Sequence, residues 1–378
     1  MFNGVLAHQM TPTEAQLLAA SNITWVSADV TFDPADLTQW SQIYTLAKQY
    51  HLSLMGILDQ HLLNWSSSFN LTDWSNMVTQ AVESFSDVKT WEIWNEPSMP
   101  DSTLGYYNGS AEAYVAMLQT AYGIIKSLAP SDTVIGLGGV PLYDSELING
   151  NETLYYYTNQ AYAWATQVVQ LGGMNYCDAI AVHAYPYGAY IPVLAGSSFT
   201  YYLQQYEQLC AGKPVWVTEV GTESQSTTWA ASQAAQATFL QQSYTMFQGL
   251  GVKAYLWYEL NDGVISGSYF GLFDGNGNPK QAFTAYVNLV NGATSPTATA
   301  TSTAQPTQSP DATPSPSLVT SAFPSQQPTT TPSPTNPPAQ TSTFPFIATA
   351  ATILSAAALA FGVLFHFRRH PRRTKETG

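Results

Sequence analysis

Two glutamates carry the chemistry this sequence offers. Glu96 stands in WEIWNEP and Glu219 in VWVTEVG, each at the end of an apolar run that reads as a β-strand. A pair of carboxyl groups can divide one reaction between them, one protonating a leaving oxygen while the other attacks or activates a nucleophile. A single carboxylate near a strand end is ordinarily just solvated, so neither glutamate means much alone. The same holds for their possible companions. His183, in AVHAYPYG, lies on an apolar strand, where a histidine is ordinarily a hydrogen-bonded core residue. Trp257, in YLWYEL, would ordinarily be core as well. His8, Asp59 and His61 also fall near strand ends without an assignable role, and Glu223 and Glu259 are spare carboxylates.

The elements that must position these residues are legible as a repeat. Apolar or β-branched runs begin with GVLAH near Gly4, TWVSADV near Trp25, SLMGILD near Ser53 and TWEIWNE near Trp91. Four more follow: TVIGLGG near Val134, DAIAVHAY near Ile180, PVWVTEV near Trp216 and AYLWYEL near Tyr255. Stretches of helical periodicity separate them, among them DLTQWSQIYTLAKQY and AEAYVAMLQTAYGIIKSLAP, and NPKQAFTAYVNLV closes the series. Repetition of one strand–helix unit eight times predicts an α/β fold, a closed (β/α)8 TIM barrel. No Gly-rich phosphate fingerprint follows the first strand, which disfavours a dinucleotide-binding sheet. Functional residues of such barrels gather at the C-terminal strand ends, so Glu96 on strand four and Glu219 on strand seven face each other across the mouth. Glycoside hydrolysis needs such a pair flanking the scissile bond.

WNEP at strand four together with TEVG at strand seven resembles clan A of the glycoside hydrolases, and the resemblance covers the whole barrel. It implies a retaining β-glycosidase. Glu96 then becomes the general acid/base, Glu219 the nucleophile, and Asn95 the amide that hydrogen-bonds the sugar 2-hydroxyl. His183 and Tyr185 resemble the clan residues that orient the nucleophile and line the site, and Trp257 resembles the aromatic floor on which the sugar stacks. Many clan members carry Arg near the end of strand two, whereas this chain offers Ser27 and Asp29. The implied double displacement uses a carbohydrate substrate and needs no metal or organic cofactor. Three other readings stay open: a carbohydrate-binding barrel without catalysis, a structural surface protein, and a transglycosidase using the same residues.

Composition bounds the remaining possibilities. Of 378 residues only 10% are charged and the formal net charge is -14, so the basic footprint of nucleic-acid binding is missing. The barrel is expected over residues 1–292, followed by a Thr/Ser/Pro-rich linker at 293–343 that lacks the apolar periodicity to repay ordering. An uncharged run at 344–367 has the length of about 20 residues that crosses a bilayer as a helix. Arg368, Arg369, Arg372, Arg373 and Lys375 form a basic tail at 368–378, which the positive-inside bias places in the cytoplasm, with the barrel extracellular on a single-pass anchor. GVLAHQ already reads as the first strand, so this topology expects an export signal upstream of Met1, the alternative being a tail-anchored protein facing the cytosol. Asn22, Asn64, Asn70, Asn108 and Asn151 each begin a glycosylation sequon, in keeping with export. Cys177 and Cys210 should lie near the same barrel rim, and a disulfide between them is expected over two inert buried thiols.

Overall fold

The computed structural model describes residues 1–34, 36–62, 70–98, 109–143, 152–186, 198–225, 231–264 and 267–292. Eight parallel strands close in chain order: β1 (Phe2–Leu6), β2 (Trp25–Asp29), β3 (Ser53–Leu58), β4 (Thr90–Ile93), β5 (Thr133–Tyr143), β6 (Ala179–Tyr185), β7 (Val215–Val220) and β8 (Ala254–Trp257). β1 completes the ring by pairing with β8, Gly4 opposite Leu256. The intervening helices are α1 (Pro12–Ala20), α2 (Leu37–Gln49), α3 (Leu71–Ser84), α4 (Ala111–Leu128), α5 (Glu152–Gln170), α6 (Ser198–Leu209), α7 (Gln233–Gly249) and α8 (Gln281–Val290). The (β/α)8 barrel expected from the repeat is the fold observed.

Local chemistry explains where the helices begin. Thr11 and Glu14 form a reciprocal capping box on α1, with Pro in its first turn. Asn70, Ser110 and Ser232 each accept an amide N–H at the start of α3, α4 and α7. Such caps each contribute about 1 kcal/mol by satisfying an orphan donor. Burial supplies the larger stabilisation, at roughly 1.5–3 kcal/mol for each large apolar side chain fully removed from water.

Side chains along each strand divide by parity between two cores. Leu6, Met55, Ile57, Ile135, Ala181, Trp216 and Leu256 fill the barrel interior, while Val5, Val26, Trp91, Val217 and Tyr255 pack outward against the helices. The N-terminal end is plugged by rings: Phe2 stacks on Trp25 at 4.8 Å, and Trp25 meets Trp216 edge-on at 5.2 Å. The barrel is therefore closed at this end, and its functional positions are those of the opposite, C-terminal mouth.

The expected disulfide is not formed. Cys177 and Cys210 are both buried and free. Burial pushes the Cys177 thiol up to about 11 and the Cys210 thiol up to about 12. The linker at 293–343, the apolar run at 344–367 and the basic tail lie outside the described residues, as do Asn64, Asn108 and Asn151. Among the described residues no helix is long and apolar enough to cross a membrane.

Candidate active site

Glu96 does not end β4 but follows it. The strand stops at Ile93, and the chain turns through Trp94 and Glu96, both with positive φ (70° and 46°). The Glu96 amide donates to the Gly138 carbonyl at 2.6 Å, tying this turn to β5. β5 admits the contact because it is irregular there: its pairing with β6 shifts register between Gly136 and Val140. A Cβ on Gly138 would lie 2.7 Å from the Ile93 carbonyl oxygen, and one on Gly139 only 2.0 Å from His183 Nε2. Two successive glycines thus make room for the β4 turn on one side and for the β6 imidazole on the other.

His183 joins the two glutamates. Its side chain, 1% exposed on β6, places Nδ1 at 3.0 Å from Glu96 Oε1 and 3.5 Å from Glu219 Oε2. Those two oxygens can be no farther apart than the sum of these distances, a bound at the short edge of the ~6.5–9.5 Å inverting range that includes the ~5–5.5 Å retaining one. Glu219 lies within β7 and is nearly buried, and the Tyr185 hydroxyl donates to its Oε2. Burial raises the Glu219 carboxyl, as does the charge of Glu96, while His183 and the Tyr185 hydroxyl pull it down, leaving it at about 6. Burial opposes the imidazolium of His183, but Glu219, Glu96 and Glu92 outweigh it and push that group up to about 9.

Asn95 occupies the β4 turn beside Glu96 and is half-buried. Trp257 is not brought to the mouth. It faces outward from β8, fully buried, with its ring 6.0 Å from Phe239 of α7 and its Nε1 donating to the Phe270 carbonyl. Strand parity is the reason: Ala254 and Leu256 face the interior, so Trp257 cannot. The aromatic wall beside Glu219 is built instead by Tyr185, Tyr258 and Phe270, whose rings meet edge-on at 5.6–6.0 Å. Alternation along AYLWY was the signal that could have found Tyr258.

Glu92 was also missed. It points from the middle of β4 into the barrel, 1% exposed, accepting a hydrogen bond from Thr218 Oγ1 at 3.1 Å. Burial pushes its carboxyl up to about 8, with Glu219 adding to the effect and His183 opposing it. A charged residue between Trp91 and Ile93 was the visible sign.

The strand-end residues without a role in sequence gather at the same mouth. His8 Nδ1 lies 3.7 Å from Asp29 Oδ2 and its Nε2 3.7 Å from Glu259 Oε2, while His61 Nδ1 lies 3.0 Å from Asp59 Oδ1 and 3.9 Å from Asp29 Oδ2. Burial opposes the His61 imidazolium, but Asp59 and Asp29 push it up to about 10. Ser27, on β2, is fully buried with Oγ unpartnered among the described residues, and Glu223 is half-buried in the loop after β7.

A family model described as glycosyl hydrolase catalytic core matches residues 40–286. No curated protein matches the chain. Among solved structures, a family 39 glycoside hydrolase from Bacteroides cellulosilyticus aligns with a TM-score of 0.56 and 19% identity over 76% of this chain and 63% of that one. A glucosidase from Croceicoccus marinus aligns with a TM-score of 0.57 and 12% identity over 77% of this chain and 67% of that one. A fungal β-1,4-galactanase aligns with a TM-score of 0.55 and 18% identity over 73% and 90%. At such identities the likeness is one of fold.

Proposed function

The chain belongs to the glycosyl hydrolase catalytic core family, and from that premise we propose that it hydrolyses β-glycosidic bonds of an oligo- or polysaccharide with retention of anomeric configuration. The observation that carries this reading is the shared imidazole: His183 Nδ1 reaches one oxygen of Glu96 at 3.0 Å and one of Glu219 at 3.5 Å, holding the carboxyl groups close. Tyr185 donates only to Glu219, which favours the ionised form there.

In the first step Glu219 attacks the anomeric carbon as the C–O bond to the leaving group breaks and Glu96 gives that oxygen a proton. In the second, Glu96 takes a proton from water, whose oxygen displaces Glu219 and frees the sugar. Asn95, next to Glu96, is the residue placed to bond the 2-hydroxyl, and Tyr258 replaces Trp257 as the ring against which the sugar packs. We place this barrel outside the cell, anchored through residues 344–367.

Activity on a panel of aryl β-glycosides and β-glucans, with the product anomer followed by NMR, tests the reaction. Retention is expected, and inversion would refute the mechanism. The two roles separate by azide rescue. Glu219→Gly should give a glycosyl azide of inverted configuration, because azide attacks in place of the nucleophile. Glu96→Ala should give one of retained configuration, because the intermediate on Glu219 still forms from substrates with good leaving groups. The same anomer from both variants would mean the pair is misassigned.

A further inference from the structure

The strand that carries Glu219 is irregular just before it. Against β6, Val217 stands opposite Val182 and Glu219 opposite His183; against β8, Val217 stands opposite Tyr255 and Val220 opposite Trp257. Both neighbours advance one residue fewer than β7 over the same span, which marks a β-bulge with Thr218 as the extra residue. The bulge decides which way Glu219 faces. Trp216 fills the barrel interior and Val217 packs outward, so strict alternation would turn Thr218 inward and Glu219 outward among the helices. Instead both face inward, Thr218 to Glu92 and Glu219 to His183 and Tyr185, and Val220 resumes the outward packing.

Glu92 meets this bulge from across the barrel. Its register partners on β3 and β5, Ile57 and Ile135, both belong to the interior core, so its carboxyl sits in an apolar layer, 1% exposed. Thr218 Oγ1 donates to Glu92 Oε1 at 3.1 Å, while Oε2 has no partner among the described residues. A buried carboxyl with an unsatisfied oxygen costs stability that an apolar side chain of similar volume would not. Its place in the core therefore calls for a reason other than packing.

We propose that Glu92 is a positioning residue: through Thr218 it holds the β7 bulge and so keeps the Glu219 carboxyl group turned into the mouth. The inference rests on the reading of Glu219 as nucleophile. Burial holds the Glu92 proton up to about 8, which suits the role, since a neutral acid beneath Glu219 ties the strand without adding a negative charge beside it.

Thr218→Val removes the hydroxyl at nearly constant shape, and Thr218→Ser keeps it. In the full-length chain purified in detergent, kcat on an aryl β-glycoside should fall roughly 10²-fold in Thr218→Val with KM little changed, the effect of misplacing a reacting group by about 1 Å. Thr218→Ser should recover most of that loss. The double variant Glu92→Met/Thr218→Val separates positioning from stability. With both polar partners replaced by apolar groups, resistance to urea lost in Thr218→Val should return, while kcat stays low because the tie is gone. Unaltered kcat in Thr218→Val, or in a stable double variant, overturns the proposal; should the double variant not fold, the comparison of Val with Ser decides. A second readout needs no substrate. Glu219 is faced by His183 and Tyr185 of β6, Glu96 and Glu92 from the β4 side, Tyr258 after β8 and Asp29 of β2. With ¹³C in the glutamate side chains, the carboxyl that titrates at about 6, assigned by its loss in Glu219→Gln, should titrate about one unit or more higher in Thr218→Val, where His183 and Tyr185 no longer support its charge. It should not move in Thr218→Ser. An unmoved titration in Thr218→Val overturns the positioning role whether or not the chain hydrolyses a glycoside, so that failure and the failure of the glycosidase reading are distinguishable.

Discussion

His183 faces three carboxyl groups, Glu96 and Glu219 at the mouth and Glu92 beneath them, and each stabilises its charged form. Glu92 contributes little to this as an ion at neutral pH, because burial holds its own proton up to about 8. The consequence for stability has a definite sign. Glu92 binds its proton more tightly folded than unfolded, so between the unfolded value of 4.5 and about 8 the native state holds more protons. Glu219 acts the same way up to about 6, and His183 between 6.5 and about 9. Stability from all three is complete below their unfolded values and is lost as pH rises through the folded ones. Glu92→Gln imitates the protonated acid and removes the largest carboxyl contribution. Urea unfolding at pH 5 and pH 9 should show the unaltered barrel losing stability with rising pH, and the variant losing less by on the order of a few kcal/mol. Parallel pH dependences for the two proteins would mean that Glu92 ionises freely in the native state.

At the scale of elements, β5 decides whether the site is assembled. TVIGLGG reads as an ordinary strand, but Leu137, Gly138 and Gly139 all take positive φ, of 67°, 51° and 77°. This could not be foreseen, because the need for it comes from an imidazole on β6 and a carbonyl on β4. Gly139→Ala should therefore act through His183. Its Cβ would meet Nε2 at 2.0 Å, and displacing that ring by about 1 Å should lower kcat roughly 10²-fold. Gly212→Ala is the control. With φ of 72° and no atom within 4 Å of the added Cβ, it should cost only about 1–2 kcal/mol of backbone strain and leave kcat unchanged. Wild-type kcat in Gly139→Ala would show that His183 needs no fixed place. The strands themselves were legible because apolar runs and turn residues alternate with a constant period. The facing of Trp257 was legible too, through the parity of Ala254 and Leu256, but its type suggested a sugar platform and outweighed its register. The grouping of His8, Asp29, Asp59, His61 and Glu259 was not legible, since it depends on how strands distant in sequence are aligned.

For the whole molecule, the distribution of basic residues bears on where the barrel works. Five of the chain's 11 lysines and arginines fall in the tail at 368–378, immediately after the uncharged run at 344–367. On the reading proposed above, in which residues 344–367 cross a bilayer, such a cluster keeps that end in the cytoplasm and the barrel outside, on a Thr/Ser/Pro-rich segment about 50 residues long whose composition favours protease access. The barrel closes through β1 and β8 and covers its outward core with α8 at Gln281–Val290, before that linker begins. Cleavage within 293–343 should then sever no element of the fold. Protease added to intact cells is expected to release a soluble fragment that retains hydrolytic activity and, with Asn22 and Asn70 both exposed, can carry glycans that shift its mass. A barrel protected until the cells are lysed, and free of glycan, would place it on the cytosolic face as a tail-anchored protein.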